Sequence, residues 1–376
     1  MEILKKKDKY YNINRINKTE ALYRMIIGQR SNGKTYSVLK QVLEKKCNKN
    51  IPSAYIRRYA ETITPKNLAE LFNPFNHTGN GLIEKLTGGQ WNTTVYKANK
   101  FVFAWYDDEK CKITDTSKDV IMYTAALNTW ENTKGADKGE IAYLIFDEFM
   151  SREGYLTNEF VTFMNVVSSF IRDRDSTIIY LLGNTVSKYC PYFAEFGIKG
   201  VEKMKKGEIQ VIHYDTKGLT MAIEYCDGVE ATRKVSKYFA FQNPRLSMIT
   251  GGEWEIPHYP HIPITMNENV IIKRVYIKFD GNILACNICR DTSCSGLILC
   301  VHEHNKSIHD EHKQIIYCRE PDSNPLHVHD LRSKPTKIND LFINLVLQSK
   351  VFYSTNDVGE IFSNFFMEFT NNKKRV

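Results

Sequence analysis

No stretch of the 376 residues approaches the ~20 consecutive apolar positions that a membrane-spanning helix needs, so a membrane partner is not expected. The opening Met1–Lys9 is polar and lysine-rich with no apolar segment behind it, which argues against a secretory leader. Internal repeats and low-complexity tracts are missing too, so a repeat array is not expected. Cysteine is not scarce, but its total of 9 is odd and comes without a leader, which excludes reading it as a disulfide framework. Reduced thiols in a cytosol are the expectation.

What is present is a hydrophobic fraction of 42%, enough for a sizeable core, on a chain long enough for two domains. The formal charge of +8 suits an anionic partner, though many soluble proteins carry as much with none. Lys5, Lys6, Lys7 and Lys9 at one end, and Lys373, Lys374 and Arg375 at the other, are either solvated ends or arms that touch a polyanion.

The first half alternates short apolar runs with helical patterns, which predicts a largely parallel α/β sheet flanked by helices. Strands are expected at Tyr23–Ile27, Ala54–Arg57, Ile121–Ala125, Tyr143–Phe146 and Thr177–Leu182, with a hairpin from Thr93 turning through Ala98-Asn99-Lys100. Phe160, Phe163, Met164, Val167, Phe170 and Ile171 recur at helical spacing and predict a helix over Asn158–Ile171. Residues 216–262 hold Gly251-Gly252, Pro244, Pro257 and Pro260 and read as a linker or small lid. From 263 onward, strand-like runs (Val270–Phe279, Ile283–Ile288, Gly296–Val301) precede helices at Ile338–Gln348 and Val358–Phe369, which predicts a smaller α+β domain. The division expected is therefore 1–215, 216–262 and 263–376.

The sharpest motif is Gly28-Gln29-Arg30-Ser31-Asn32-Gly33-Lys34-Thr35, which fits G-x-x-x-x-G-K-[ST] in full. Met25-Ile26-Ile27 feeds it and a helical segment follows. Glycines at 28 and 33 let the backbone wrap an anion, so that successive N–H groups and a helix N-terminus face phosphates. Lys34 would reach the β and γ phosphates, and the Thr35 hydroxyl would ligate Mg²⁺. The competing reading is a glycine-rich turn with a surface lysine.

Tyr143-Leu144-Ile145-Phe146-Asp147-Glu148 is an apolar strand ending in two acids. Asp147 would hold the Mg²⁺ shell and Glu148 would polarise the attacking water. Acids also end strands for no catalytic reason, so the pair gains its meaning from the phosphate loop. Asn184, at the tip of another strand, either senses the γ-phosphate or simply turns the chain. Arg172 and Arg174 close the helix over 158–171. They serve either a neighbouring subunit's nucleotide or their own helix dipole. Arg57 and Arg58, after Ala54-Tyr55-Ile56, face a nucleotide, a DNA backbone or solvent.

Several blocks in this order resemble the encapsidation proteins, the DNA-packaging ATPases of small protein-primed podoviruses and relatives of the large terminase subunits. They are residues 26–35, Tyr55-Ile56-Arg57-Arg58-Tyr59, Trp130 with Lys134, Ile145-Phe146-Asp147-Glu148-Phe149, Phe170-Ile171-Arg172-Asp173-Arg174, Asn184 and Pro191-Tyr192-Phe193. Similarity is good over about 10–195 and beyond that is one of layout. The resemblance implies an ASCE-type, terminase-like P-loop ATPase fold followed by an RNase H-like domain. It implies a homo-oligomeric ring, a pentamer, on the portal vertex of the prohead in the host cytoplasm. It further implies ATP and Mg²⁺ as cofactors, double-stranded DNA as the translocated substrate, and a structural packaging RNA as a partner. By position it assigns Lys34, Thr35, Asp147 and Glu148 to the ATP site, Arg172 to a trans-acting arginine, Lys134 to a basic residue near the subunit interface and Asn184 to coupling. Tyr11 and Asn12 fall in its adenine-side motif, where Asn14 stands in place of Gln.

In the second domain, Asp280 closes a strand without persuasive partner carboxylates, which favours a vestigial nuclease that contacts RNA, portal or DNA. Cys286, Cys289, Cys294, Cys300, His302, His304, His309 and His312 crowd together, but their spacing matches no known zinc finger, and residues three apart in a strand point to opposite faces. Buried thiols and surface histidines are expected instead. The rival functions are another P-loop translocase or helicase, a nucleotide-gated nucleic-acid-binding scaffold, and an active packaging nuclease.

Overall fold

The computed structural model describes residues 11–30, 32–133, 138–151, 154–156, 158–172, 174–185, 190–214, 218–226, 259–262, 270–279, 281–290, 296–318, 327–328 and 337–371. Ser31, Lys134, Asp280 and Cys294 lie outside them. The chain divides into two compact units.

The first unit is built on a nine-stranded sheet. Its strands are β1 (Tyr23–Gly28), β2 (Ser53–Arg57), β3 (Thr93–Lys97), β4 (Lys100–Asp107), β5 (Lys112–Ala126), β6 (Tyr143–Asp147), β7 (Ile178–Asn184), β8 (Glu208–His213) and β9 (Thr220–Tyr225). The spatial order is β3-β4-β5-β2-β6-β7-β1-β9-β8. From β5 to β9 all neighbours are parallel, while β3–β4–β5 and β8–β9 pair antiparallel. The centre reads Met25-Ile26-Ile27, Leu144-Ile145-Phe146 and Ile179 to Leu182, all buried, because a parallel sheet covered on both faces needs continuous apolar runs. Ala98 and Asn99 both take positive φ (48° and 57°), the twist a two-residue hairpin requires. Helix α1 (Lys34–Lys49) buries Val38, Leu39, Val42 and Leu43. Helix α2 (Glu159–Ile171) buries Phe163, Val166, Val167 and Phe170, with Phe163 stacked on Phe146 at 5.2 Å. Phe160, Met164 and Ile171 are only half-buried on it.

The boundary expected at 215 needs correction. Strand β9 lies inside the expected linker, yet it pairs parallel with β1 from Tyr23↔Met221 to Ile27↔Tyr225. Sequence patterning missed it because Glu224 interrupts the apolar run. That carboxylate is buried against the Tyr11 hydroxyl, 2.6 Å from its Oε2, with Arg15 3.7 Å from Oε1. The expected lid over 227–258 lies outside the described residues.

The second unit takes in the described residues 154–156, 190–197 and 259 onward, so it also starts earlier than expected and borrows two upstream segments. Its sheet holds β10 (Ile271–Phe279), β11 (Asn282–Arg290), β12 (Leu297–Glu303), β13 (Ile316–Cys318), β14 (His327–Val328) and β15 (Val351–Tyr353), in the order β14-β13-β10-β11-β12-β15. Three antiparallel strands carry two parallel ones on the side of the first, which is the RNase H-like order with β15 appended. Helices α3 (Lys337–Leu347) and α4 (Asn356–Asn371) bury Phe342, Leu345, Val358, Phe362 and Phe365 in one core with Val275, Ile277, Cys286 and Val301.

Cys289 belongs to a different cluster, with Ile298 and Cys300. Strand alternation thus puts the two thiols of Cys286-x-x-Cys289 on opposite faces. Among the described residues no group of three or more His, Cys, Asp or Glu is placed to hold a metal ion, and no helix is long and apolar enough to cross a membrane.

Candidate nucleotide site

The phosphate loop leaves the end of β1 and enters α1 at Gly33, whose φ of 93° favours glycine. Gly28 is required for a different reason. A Cβ there would collide with Sγ of Cys226 and stand 3.2 Å from Nδ2 of Asn32. Cys226 follows β9 directly. Its thiol lies 3.0 Å from the carbonyl of Ile27 and 2.8 Å from Asn32 Nδ2, and burial pushes it up to about 11. Cys226 thus forms the rear wall of the loop.

Lys34 extends back along that loop. Its Nζ donates to the carbonyls of Gly28 (3.2 Å) and Gln29 (2.7 Å) and to Oδ1 of Asn32 (3.2 Å) and Asn184 (3.2 Å). Burial pulls the ammonium below its usual range, and Cys226 and Asp147 act against that pull. Asn184 is brought there by the parallel register Gly28↔Asn184 between β1 and β7.

Asp147 ends β6, with Thr35 Oγ1 3.3 Å from its Oδ2 and the Tyr55 hydroxyl donating to the same oxygen at 2.8 Å. Burial raises the carboxyl, while Arg57 and the Tyr55 hydrogen bond favour its charged form. A hydroxyl beside a carboxylate at a loop–helix junction is the donor set a hexacoordinate Mg²⁺ uses, so the residues fit that ion. Glu148, next in the chain, has a φ of 60° and donates its own N–H to Asp147 Oδ1 at 3.0 Å.

One cavity of about 680 Å³ is lined by Arg30, Asn32, Gly33, Lys34, Thr35, Asp147, Glu148, Gly183 and Asn184, with Tyr36, Pro74 and Leu182. That volume lies within the range of small-molecule and cofactor sites. Gly28 and Gln29 do not line it, and their carbonyls accept from Lys34. Tyr11 and Asn12 do not line it: the Tyr11 ring is tied to Glu224, and its backbone N–H donates to the Asn32 carbonyl at 2.8 Å. Tyr11 therefore braces the loop. Arg172 closes α2 at a φ of 51° and does not line the cavity either.

The sequence left Arg57 and Arg58 open, and the structure separates them. Arg57 places one guanidinium nitrogen 2.5 Å from Glu148 Oε2 and the other 3.3 Å from the Tyr55 hydroxyl and 3.9 Å from Asp147 Oδ2. Arg58 turns inward. It donates to Glu159 at 2.7 Å, to the carbonyl of Glu148 at 3.1 Å and to that of Phe149 at 2.5 Å. The deciding fact is that β2 runs beside β6, with Ile56 level with Phe146. Tyr36, Pro74, Tyr55 and Cys226 escaped sequence reasoning because no local pattern marks them.

A family model described as the Podovirus DNA encapsidation protein (Gp16) matches residues 5–215, more than half of the chain. The chain belongs to this encapsidation protein family. It is 24% identical over 182 residues to the DNA packaging protein of Bacillus phage B103, a match that covers 48% of this chain and spans about half (49%) of that relative. Its fold is similar to chains in two solved motors. The Phi-28 gp11 DNA packaging motor aligns with a TM-score of 0.56 at 18% identity, over 96% of this chain and 98% of that one. The bacteriophage Phi-29 viral genome packaging motor assembly aligns with a TM-score of 0.57 at 16% identity, over 96% and 100%.

Proposed function

We propose that this encapsidation-family protein is an ATPase motor that drives double-stranded viral DNA into the prohead. The observation that carries the reading is the convergence of Lys34, Thr35, Asp147, Glu148 and Asn184, from three separate segments, on one cavity. Lys34 and the loop N–H groups from residues 28–35 bind the phosphates of ATP. Thr35 and Asp147 hold Mg²⁺, which when bound neutralises developing phosphate charge. Glu148 aims the attacking water, and Asn184, hydrogen-bonded to Lys34, registers the γ-phosphate and couples it to β7.

Arg172 lies off the cavity of its own chain and, together with Lys134, serves the nucleotide of the next subunit in a ring of five. The ring docks at the portal vertex of the prohead in the host cytoplasm, with a packaging RNA as a further partner. Because DNA of any sequence must pass, its contacts go to phosphates and weaken steeply with salt. The second unit serves in RNA, portal or DNA contact without cutting.

The test is ATPase activity of the purified protein with and without proheads and DNA, wild type beside Lys34→Ala. Activity that the Lys34 variant keeps would sink the motor. Glu148→Gln should bind ATP and stall packaging, whereas a nucleotide-gated scaffold would keep its function. A trans role predicts that Arg172→Ala subunits mixed with Glu148→Gln subunits recover activity that neither has alone.

A further inference from the structure

We propose that Tyr36 and Pro74 form the platform that carries the nucleobase of the bound nucleotide. The inference rests on the ATPase reading above and adds a second end to its site.

A cavity of about 680 Å³ is of the size that takes a whole cofactor, not three phosphates alone. Its charged and polar residues, from Lys34 to Asn184, deal with phosphate, Mg²⁺ and water. A base needs a different surface, one that is flat, apolar and able to stack. Tyr11 and Asn12 do not supply it, because they do not line the cavity. Among the described residues that do, Tyr36, Pro74 and Leu182 carry the apolar side chains. Leu182 is level with Asp147 where β6 pairs with β7, so it belongs to the acid-pair side. Tyr36 and Pro74 remain. Tyr36 directly follows Thr35 in α1, one residue beyond the hydroxyl assigned to Mg²⁺.

The two residues form one braced unit. The Tyr36 ring is stacked on fully buried Phe75, with centroids 4.6 Å apart and 19° between planes. One face is thus backed, while the half-buried ring keeps surface on the cavity. Asn80 ties ring and proline together. Its Nδ2 donates to the Tyr36 hydroxyl and its backbone N–H to the Pro74 carbonyl, each at 3.0 Å. The turn Asn73–Phe75 is itself locked, since Oδ1 of Asn76 accepts from the N–H groups of Thr78 and Gly79 at 3.1 Å each. Gly79 lies so close that a Cβ there would stand 2.5 Å from the Pro74 oxygen. A surface fixed in advance loses little freedom when a ligand lands on it, which favours binding.

The test is calorimetric titration of ATP and of inorganic tripolyphosphate, each with Mg²⁺, into wild type, Tyr36→Ala, Tyr36→Leu and Tyr36→Phe, beside steady-state ATPase. Stacking of a base on an aromatic ring is worth roughly ten- to a hundredfold in affinity. Tyr36→Ala is expected to weaken ATP by that factor and tripolyphosphate, which has no base, by less than about twofold. KM for ATP should rise with little change in kcat, because a base contact is the same in the ground and transition states. Tyr36→Phe keeps the ring and loses only the bond from Asn80, so its affinity for ATP should stay within about fivefold of wild type. Tyr36→Leu keeps apolar bulk without a ring. It should behave like the Ala variant and carries the test if that variant fails to fold. Equal losses for both ligands, or a fall in kcat, would mean that Tyr36 shapes the phosphate loop and would overturn the proposal. So would unchanged binding of ATP. The KM and kcat split decides where tripolyphosphate binds too weakly to titrate. A wild-type protein that does not bind ATP defeats the ATPase assignment, whereas normal binding that is indifferent to Tyr36 defeats only this inference.

Discussion

The thiol of Cys226 stands where a side chain on Gly28 would have to go. Two residues distant in sequence share one small space behind the phosphate loop. Gly28→Ala should therefore deform the loop, at a cost of about 1–3 kcal/mol as expected for overpacking, and weaken ATP binding. Cys226→Ala alone should be tolerated, and the double variant should regain much of the lost affinity, since removing Sγ clears the main collision. Equilibrium titration with a fluorescent nucleotide across the four proteins checks the coupling. Strict additivity would contradict it.

Arg58 is expected to be structural. Its pair with Glu159 is nearly closed to solvent, with side-chain exposures of 7% and 3%. Removing one member of a buried pair leaves the other charge without compensation and typically costs about 3–5 kcal/mol. Arg58→Ala should lower chemical-denaturation stability by that order, and Glu159→Gln should cost a comparable amount, because it removes the negative charge opposite a buried guanidinium. A negligible loss from Glu159→Gln would argue against a buried-charge penalty.

The Cys226 thiol gives a pH-dependent observable. Burial lifts it to about 11, against an ordinary cysteine value of about 8.5. The folded state then keeps a proton that the unfolded state releases. The stabilisation from this group is complete below about 8.5 and is lost as pH rises towards about 11. Between pH 9 and 11 the wild type should lose stability faster than Cys226→Ala. At pH 8, iodoacetamide should modify exposed Cys111 well before Cys226, because thiolate and access are both needed. Mass spectrometry of the peptides reads this directly.

The phosphate loop, its acid pair and most central strands were legible because each is local: an apolar run ends in residues that line the cavity. Helix α2 was legible from its spacing, and the turn at Ala98-Asn99 from its residues. What could not be read was lateral order. Nothing in Ala54-Tyr55-Ile56-Arg57 says that β2 will lie against β6, so the contact between Arg57 and Glu148 was out of reach. Strand β9 was hidden by Glu224, a buried charge whose partners, Tyr11 and Arg15, sit at the far end of the sequence. Tyr11 was placed by resemblance on the adenine side, but its hydroxyl is committed to that same carboxylate.

The pairing of β9 with β1 bears on how this protein can be dissected. A fragment cut at 215 would strip a hydrogen-bonded neighbour from the strand that carries the phosphate loop, uncovering a raw sheet edge prone to sticking to other chains. It would also open a hole behind Gly28. Such a piece should aggregate and bind ATP poorly in spite of an intact fingerprint motif, whereas one that runs beyond Cys226 keeps the wall in place. The unit that carries the phosphate loop is thus longer than the part of the chain that looks like it.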